Sequence, residues 1–238
     1  MSCRTFAIAA VAATLVALPA AARNPAPIDG TAAGSSGHFS VVTGETVAAG
    51  RDMVSAEVGF PGFTVGYTHG INDRFDAGVK LDLLYGFRYT TLLTQFGMQL
   101  HAPLRYMAYR RGQIGVQVHV DPGLDFYTAP GCPAGFPPGF NCGGSTSFAI
   151  NIPVGVTVGF QATRELRLAL GADLPLSINY SPSPVFLQIG PLFGGAVEYY
   201  FERQWVVGFN LRFGPQFYTT GPGTQLGFIT EATIGYRL

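Results

Sequence analysis

The chain has 238 residues, only 12% of them charged, with 14 basic against 14 acidic side chains and a mean hydropathy of +0.26. So little charge at so high a hydropathy argues against an ordinary soluble domain, and a net charge of zero gives no electrostatic case for nucleic acid. Beyond the N-terminus no stretch offers about 18 apolar residues in a row, which excludes a helical membrane protein.

The first segment reads as an export signal. Arg4 precedes an apolar run from Phe6 to Leu18, too short to span a bilayer, and small residues follow at Ala20 and Ala22. Cleavage is expected after Ala22, so residues 1–22 are a signal peptide and 23–37 an N-terminal periplasmic segment. Cys3 leaves with the signal, which argues against a lipid anchor. Loss of Arg4 leaves 13 basic residues, Lys80 the only lysine among them, against 14 acidic ones, a mature charge of −1.

From residue 38 onward the apolar content is spent on alternation. In Leu166 to Tyr180 the even positions carry Leu166, Leu168, Leu170, Leu174, Leu176 and Ile178, and the odd ones carry Arg167, Gly171, Asp173, Ser177 and Asn179. A period of two marks a strand with one greasy and one polar or small face. Trp205 to Tyr218 repeats the pattern, with Val207, Phe209, Leu211 and Phe213 opposite Gly208, Asn210, Arg212 and Gly214. Ten strands are expected near 38–47, 54–69, 75–88, 91–107, 113–127, 147–162, 166–180, 186–201, 205–219 and 225–238. His38 to Val47 alternates poorly, so eight strands plus an ordered N-terminal arm is the alternative. The parity change at Pro61-Gly62 reads as a bulge within the second strand.

Many of these segments exceed the usual strand of about 5 or 6 residues and suffice to cross hydrocarbon at a tilt, which takes about 9 to 11 residues. Hydrocarbon offers no hydrogen-bond partners, so a spanning sheet has to close on itself. Short Arg-bearing links recur at 72–74, 109–112, 163–165 and 202–204, as tight turns on one side of a closed sheet. The fold expected is therefore all-β: a closed antiparallel up-and-down transmembrane β-barrel of about ten strands, over residues 38–238. Aromatics near strand ends fit two interfacial belts, with Phe75, Tyr106, Tyr199, Phe201, Trp205 and Tyr236 toward the turns. Tyr85, Phe87, Phe126, Tyr180 and Phe217 lie toward the loops.

Long dyad strands, Arg-bearing turns and the terminal Thr233-Ile234-Gly235-Tyr236-Arg237-Leu238 resemble the small bacterial outer-membrane β-barrel family. The resemblance covers nearly all of the mature chain. It implies the bacterial outer membrane as location, its lipid bilayer as surroundings, and Gly235, Tyr236 and Leu238 as the signal read by the barrel-assembly machinery. The family's last strand usually ends on an aromatic, and this one ends on Leu238 with Tyr236 two residues earlier. The family hosts pores, adhesins, lipid-modifying enzymes and proteases, so it assigns no task.

Cys132 and Cys142 share the long Gly/Pro-rich loop 128–146 of an exported chain, where a disulfide is expected. The loop is then either a surface-binding element or simply protected from proteases. The inward face is expected to hold a self-neutralising network of Lys80, Asp82, Arg105, Arg167, Asp173, Glu198, Arg212 and Glu231. Asp76, Arg88, Gln95, Gln99 and Gln117 share that face, and Arg212 is expected to face Glu231 across the last hairpin. Inward glycines such as Gly155, Gly159 and Gly171 are expected to leave space for water or a small ligand.

His101 and His119, with Asp121 one inward position further on, are the candidates for general-base chemistry on lipid or peptide. No serine stands at a matching position, and histidines in a polar interior are the commoner arrangement. The sequence therefore favours a non-enzymatic barrel without cofactor or metal, with a structural or surface-interaction role or as a narrow solute pore. A His-based barrel enzyme is the alternative. A small solute or a surface ligand is the partner left open.

Overall fold

A computed structural model describes residues 39–86, 93–128, 146–180, 185–202, 204–219 and 224–238, with side chains from 96 in the second span. The expected signal peptide, the segment 23–37, and Arg88, Gln95, Cys132 and Cys142 lie outside the residues or side chains so described. Among the described residues all regular structure is strand, in one antiparallel sheet of fifteen segments.

The first two segments correct the sequence reading. Strands β1 (Asp52–Phe60) and β2 (Gly62–Asn72) are separate and antiparallel, with Val58 opposite Phe63 and Met53 opposite Thr68. The parity change at Pro61 is a tight hairpin turn and not a bulge. Pro61 stands at the turn, where no ladder donor is needed from it, and its carbonyl accepts the amide of Tyr85 on the next strand (3.0 Å).

Next come β3 (Phe75–Gly86), β4 (Leu93–His101) and β5 (Leu104–Arg111), then β6 (Ile114–Val120) and β7 (Gly123–Thr128). They are followed by β8 (Thr146–Asn151), β9 (Val154–Gln161), β10 (Leu166–Leu174) and β11 (Leu176–Tyr180). The last four are β12 (Phe186–Ile189), β13 (Leu192–Phe201), β14 (Trp205–Tyr218) and β15 (Thr224–Arg237). The expected all-β antiparallel ring is present, but the expected count of about ten strands, or eight, is corrected, because the described strands are divided into fifteen segments. Pro103, Pro122, Pro153, Pro175 and Pro191 interrupt the long strands, each removing a ladder donor. Pairing resumes in the same register beyond them: His101 faces Gly123, and Leu104 faces Val120.

The sheet closes. β15 pairs with β14 on one side and with β1 on the other, Tyr236 facing Trp205 and Val54. The interruptions are bridged where β3 pairs with both β4 and β5, and β14 with both β12 and β13. Gly235 and Tyr236 thus stand on the strand that seals the ring, with the Leu238 amide on the Asp52 carbonyl (2.9 Å). The short links after β2, β5, β9 and β13 all fall at one rim, called the turn end here.

Polarity is inverted relative to a soluble fold. Outward residues are large and apolar, among them Leu170 (73% exposed), Val58, Phe193 and Phe213, whereas inward Asp76, Asp82, Gln99, Gln216 and Glu198 are fully buried. Water on the outside would leave that apolar surface unburied and hide the charge. Hydrocarbon outside gives both faces a matching environment. Rings cluster at both rims: Trp205 lies 4.6 Å from Tyr236 and stacks on Phe201 at the turn end, and Phe148 lies 5.2 Å from Phe126 at the other.

Candidate functional site in the lumen

The segment expected as the first strand, 38–47, is no strand over its described residues 39–47. Those residues lie inside the ring at the turn end, and all but Val42 are buried. The local sequence turns the chain back on itself: Ser40 Oγ accepts the Thr43 amide (2.6 Å), a short-range bond that competes with strand pairing. Gly44 then takes a positive φ of 81°. Phe39, Val41 and Val47 join Met53, Tyr200 and Val206 as an apolar cluster, so part of the lumen has an ordinary hydrophobic core.

Inward charges of the ring hold this arm. Glu198 Oε1 accepts the amides of Val41 (2.7 Å) and Val42 (2.9 Å), and Glu198 Oε2 accepts the Thr43 hydroxyl. Asp76 accepts the Val47 amide (2.7 Å) and is clamped by Arg105 through Nε (2.7 Å) and Nη2 (2.9 Å). Arg105 Nη1 donates to the Ser40 carbonyl (2.8 Å). Arg167 donates to the Thr43 carbonyl and pairs with Glu45 (3.1 Å), which also meets Arg110. Tyr200 donates its hydroxyl to the Phe39 carbonyl (2.8 Å).

Inward glycines make room for this arm. A Cβ on Gly159 would stand 2.4 Å from the Thr43 carbonyl oxygen, and one on Gly235 would stand 2.8 Å from a Val41 methyl. The expectation of free space at the inward glycines is corrected here: at Gly159 the backbone of the arm fills it. At Gly155 the His119 ring and Asp173 fill it, and at Gly171 the Arg212 guanidinium does.

Beyond the arm lies a cavity of about 150 Å³, with Val41 and Val42 in its wall. Lys80 donates to Glu57 (2.5 Å). His101 contacts Asp121 through Nδ1 (2.6 Å) and Asp82 through Nε2 (3.3 Å). His119 contacts Asp173 through Nε2 (2.9 Å), and Asp173 also receives Arg212.

These contacts revise two expectations. Arg212 stands opposite Ile229 in the ladder, and Glu231 stands opposite Asn210, whose Nδ2 donates to it (3.5 Å). The ladder of the last hairpin is therefore offset by two residues from the expected register. The candidate histidines both face inward, but Asp121 pairs with His101 and not with His119; in the ladder His101 faces Lys80 and Gly123, and His119 faces Arg105 and Gly155. They form two separate His–Asp pairs on opposite sides of the proline steps. Among the described residues no group of three or more His, Cys, Asp or Glu side chains has metal-holding geometry.

Glu57 and Glu45 were not anticipated. Glu57 shares a parity with Met53 and Ser55, opposite the outward Val54 and Val58, and that alternation alone turns it inward. Nothing in the local sequence marks Glu45, whose position depends on the arm entering the lumen.

No protein-family model matches the chain, and no curated protein matches it. Among solved structures it is similar to the outer membrane protease OmpT of Escherichia coli, with a TM-score of 0.38 and 11% identity over 79% of this chain and 93% of that one. It also superposes on Ail, the attachment invasion locus protein of Yersinia pestis, with a TM-score of 0.22 and 8% identity over 79% and 94%. The barrel is established by its own strand pairing, in which β15 joins β14 to β1. That closed ladder, apolar outside and polar within, is the architecture of the small bacterial outer-membrane β-barrel proteins that the chain resembles.

Proposed function

We propose that the chain is a non-enzymatic outer-membrane barrel whose lumen is held shut by its own residues 39–47, with a structural or surface-interaction role. One observation carries the reading: Glu198, fully buried on β13, accepts two successive arm amides and an arm hydroxyl. A buried carboxylate satisfied by three donors is costly to undo, since each hydrogen bond to a charged group is worth about 1.5–3 kcal/mol. The arm is therefore a fixed part of the lumen and opposes a standing-open pore.

The histidines support the non-enzymatic side. Each ring nitrogen of His101 already faces a carboxylate, which leaves neither to take a proton from a substrate. His119 lies behind the arm, in the same cavity. The bilayer is the partner that the outward surface suits, the barrel-assembly machinery is the partner proposed for the terminal strand, and the loop bearing Cys132 and Cys142 is the element proposed for a surface ligand.

Planar-bilayer recording of the refolded, heat-modifiable mature protein tests the closed lumen. Silence is expected, and steady conductance of the intact chain would overturn it. For the enzyme alternative, phospholipid and peptide turnover are compared in the intact protein and the His101→Ala and His119→Ala variants. Activity lost with either histidine from a still-folded barrel would replace this reading.

A further inference from the structure

We propose that the lumen behind the arm is a water path for small inorganic cations, for which residues 39–47 are the stopper. The inference rests on the closed-lumen reading and goes beyond it, by assigning the path and the charge of what passes.

Three observations converge. The arm forms part of the cavity wall through Val41 and Val42, so its withdrawal would open the cavity to the turn end. The cavity is wet by construction: about 150 Å³ holds several waters. Gln117, only 3% exposed and in the cavity wall, has an Nε2 with no acceptor from the protein, a donor that a water oxygen satisfies. Finally, the charge is lopsided. Glu57, Asp121, Asp173 and Glu231 line the cavity, and Asp76 and Asp82 bond to Arg105 and His101 in its wall. Against these six carboxylates stand three permanent cations, Lys80, Arg105 and Arg212. The balance stays negative even with both His101 and His119 protonated. A negative lumen walled by low-dielectric material concentrates cations and repels anions.

Arg110 and Arg167 stand at the turn end, where both pair with the single carboxylate of the arm's Glu45. They hold the stopper. The cavity, further in, sets the preference.

The test is conductance of the mature protein lacking residues 39–47, recorded in a KCl gradient. Steady openings are expected, with a reversal potential displaced toward that of potassium. The same variant carrying Asp121→Asn and Glu231→Gln should return the potential toward zero. A synthetic peptide of the sequence of residues 39–47, added at the turn end, should close the pore. The single change Glu198→Gln, which leaves the chain whole, gives an independent variant and should open intermittently with the same sign. Folded variants that stay silent, or that prefer chloride, overturn the inference while leaving the closed-lumen reading in place. Conductance by the intact chain would instead remove that reading.

Discussion

The carboxylate of Glu198 and the amide of Val41 lie 2.7 Å apart although 157 residues separate them in the chain. This bond joins the middle of a late strand to the start of the described chain, and it turns the first described residues from a candidate strand into a stopper.

Replacement of Glu198 by Gln removes the charge and leaves one oxygen where two served three donors. The arm should open more often by a factor of about 10 to 100, following the loss of about 1.5–3 kcal/mol per charge-assisted bond. Hydrogen exchange at the Val41 and Val42 amides reads this directly, while β14 and β15 amides should exchange as before.

Arg105 holds Asp76, which is fully buried and also bonds the Val47 amide. Arg105→Met leaves that carboxylate in the lumen without its guanidinium and should cost about 3–5 kcal/mol. The double change Arg105→Met with Asp76→Asn should recover most of the loss. Urea unfolding followed by the heat-modifiable gel shift measures all three proteins, and additive losses would argue against the pair.

Gly159 tests the fit of the arm by volume. The methyl of Gly159→Ala would meet the Thr43 carbonyl oxygen at 2.4 Å and the Arg167 guanidinium at 2.5 Å. The ring is held by its own ladder, so the arm should be the part that yields, at about 1–3 kcal/mol. Limited proteolysis should then cut within 39–47 in the variant and leave the intact protein whole.

Leu170 tests the surroundings of the ring. It is 73% exposed on the outer face of β10. Leu170→Arg should destabilise the barrel in a bilayer by about 2–4 kcal/mol if the position lies near the midplane. A water-facing surface would accept the same change within about 0.5 kcal/mol. Equilibrium unfolding in lipid vesicles separates these outcomes.

Much of the wall was legible because parity is a local property. Leu166, Leu168 and Leu170 against Arg167 and Ala169 fix the two faces of β10 whatever its neighbours are. The Arg-bearing links between strands were equally plain. The hairpin at Pro61 was misread because a bulge and a two-strand reversal leave the same trace, a switch of parity beside proline and glycine. The partner of Arg212 was misread because register depends on where a loop turns, and the loop after Tyr218 gives no local mark of that point. The arm had only a negative sign in the sequence, the poor alternation of His38 to Val47. Its place is set by Glu198, Asp76, Arg105 and Arg167, which closure of the ring gathers around it.

The most direct test of the account is a nuclear Overhauser spectrum of the intact barrel in micelles, with protonated Phe and Val in a deuterated background. The Phe39 ring and Val41 methyls should show cross-peaks to the Val206 methyls on β14, since all three belong to one buried cluster. A folded barrel in which Phe39 and Val41 have narrow lines, random-coil shifts and no cross-peak to Val206 would contradict the arm's place in the lumen.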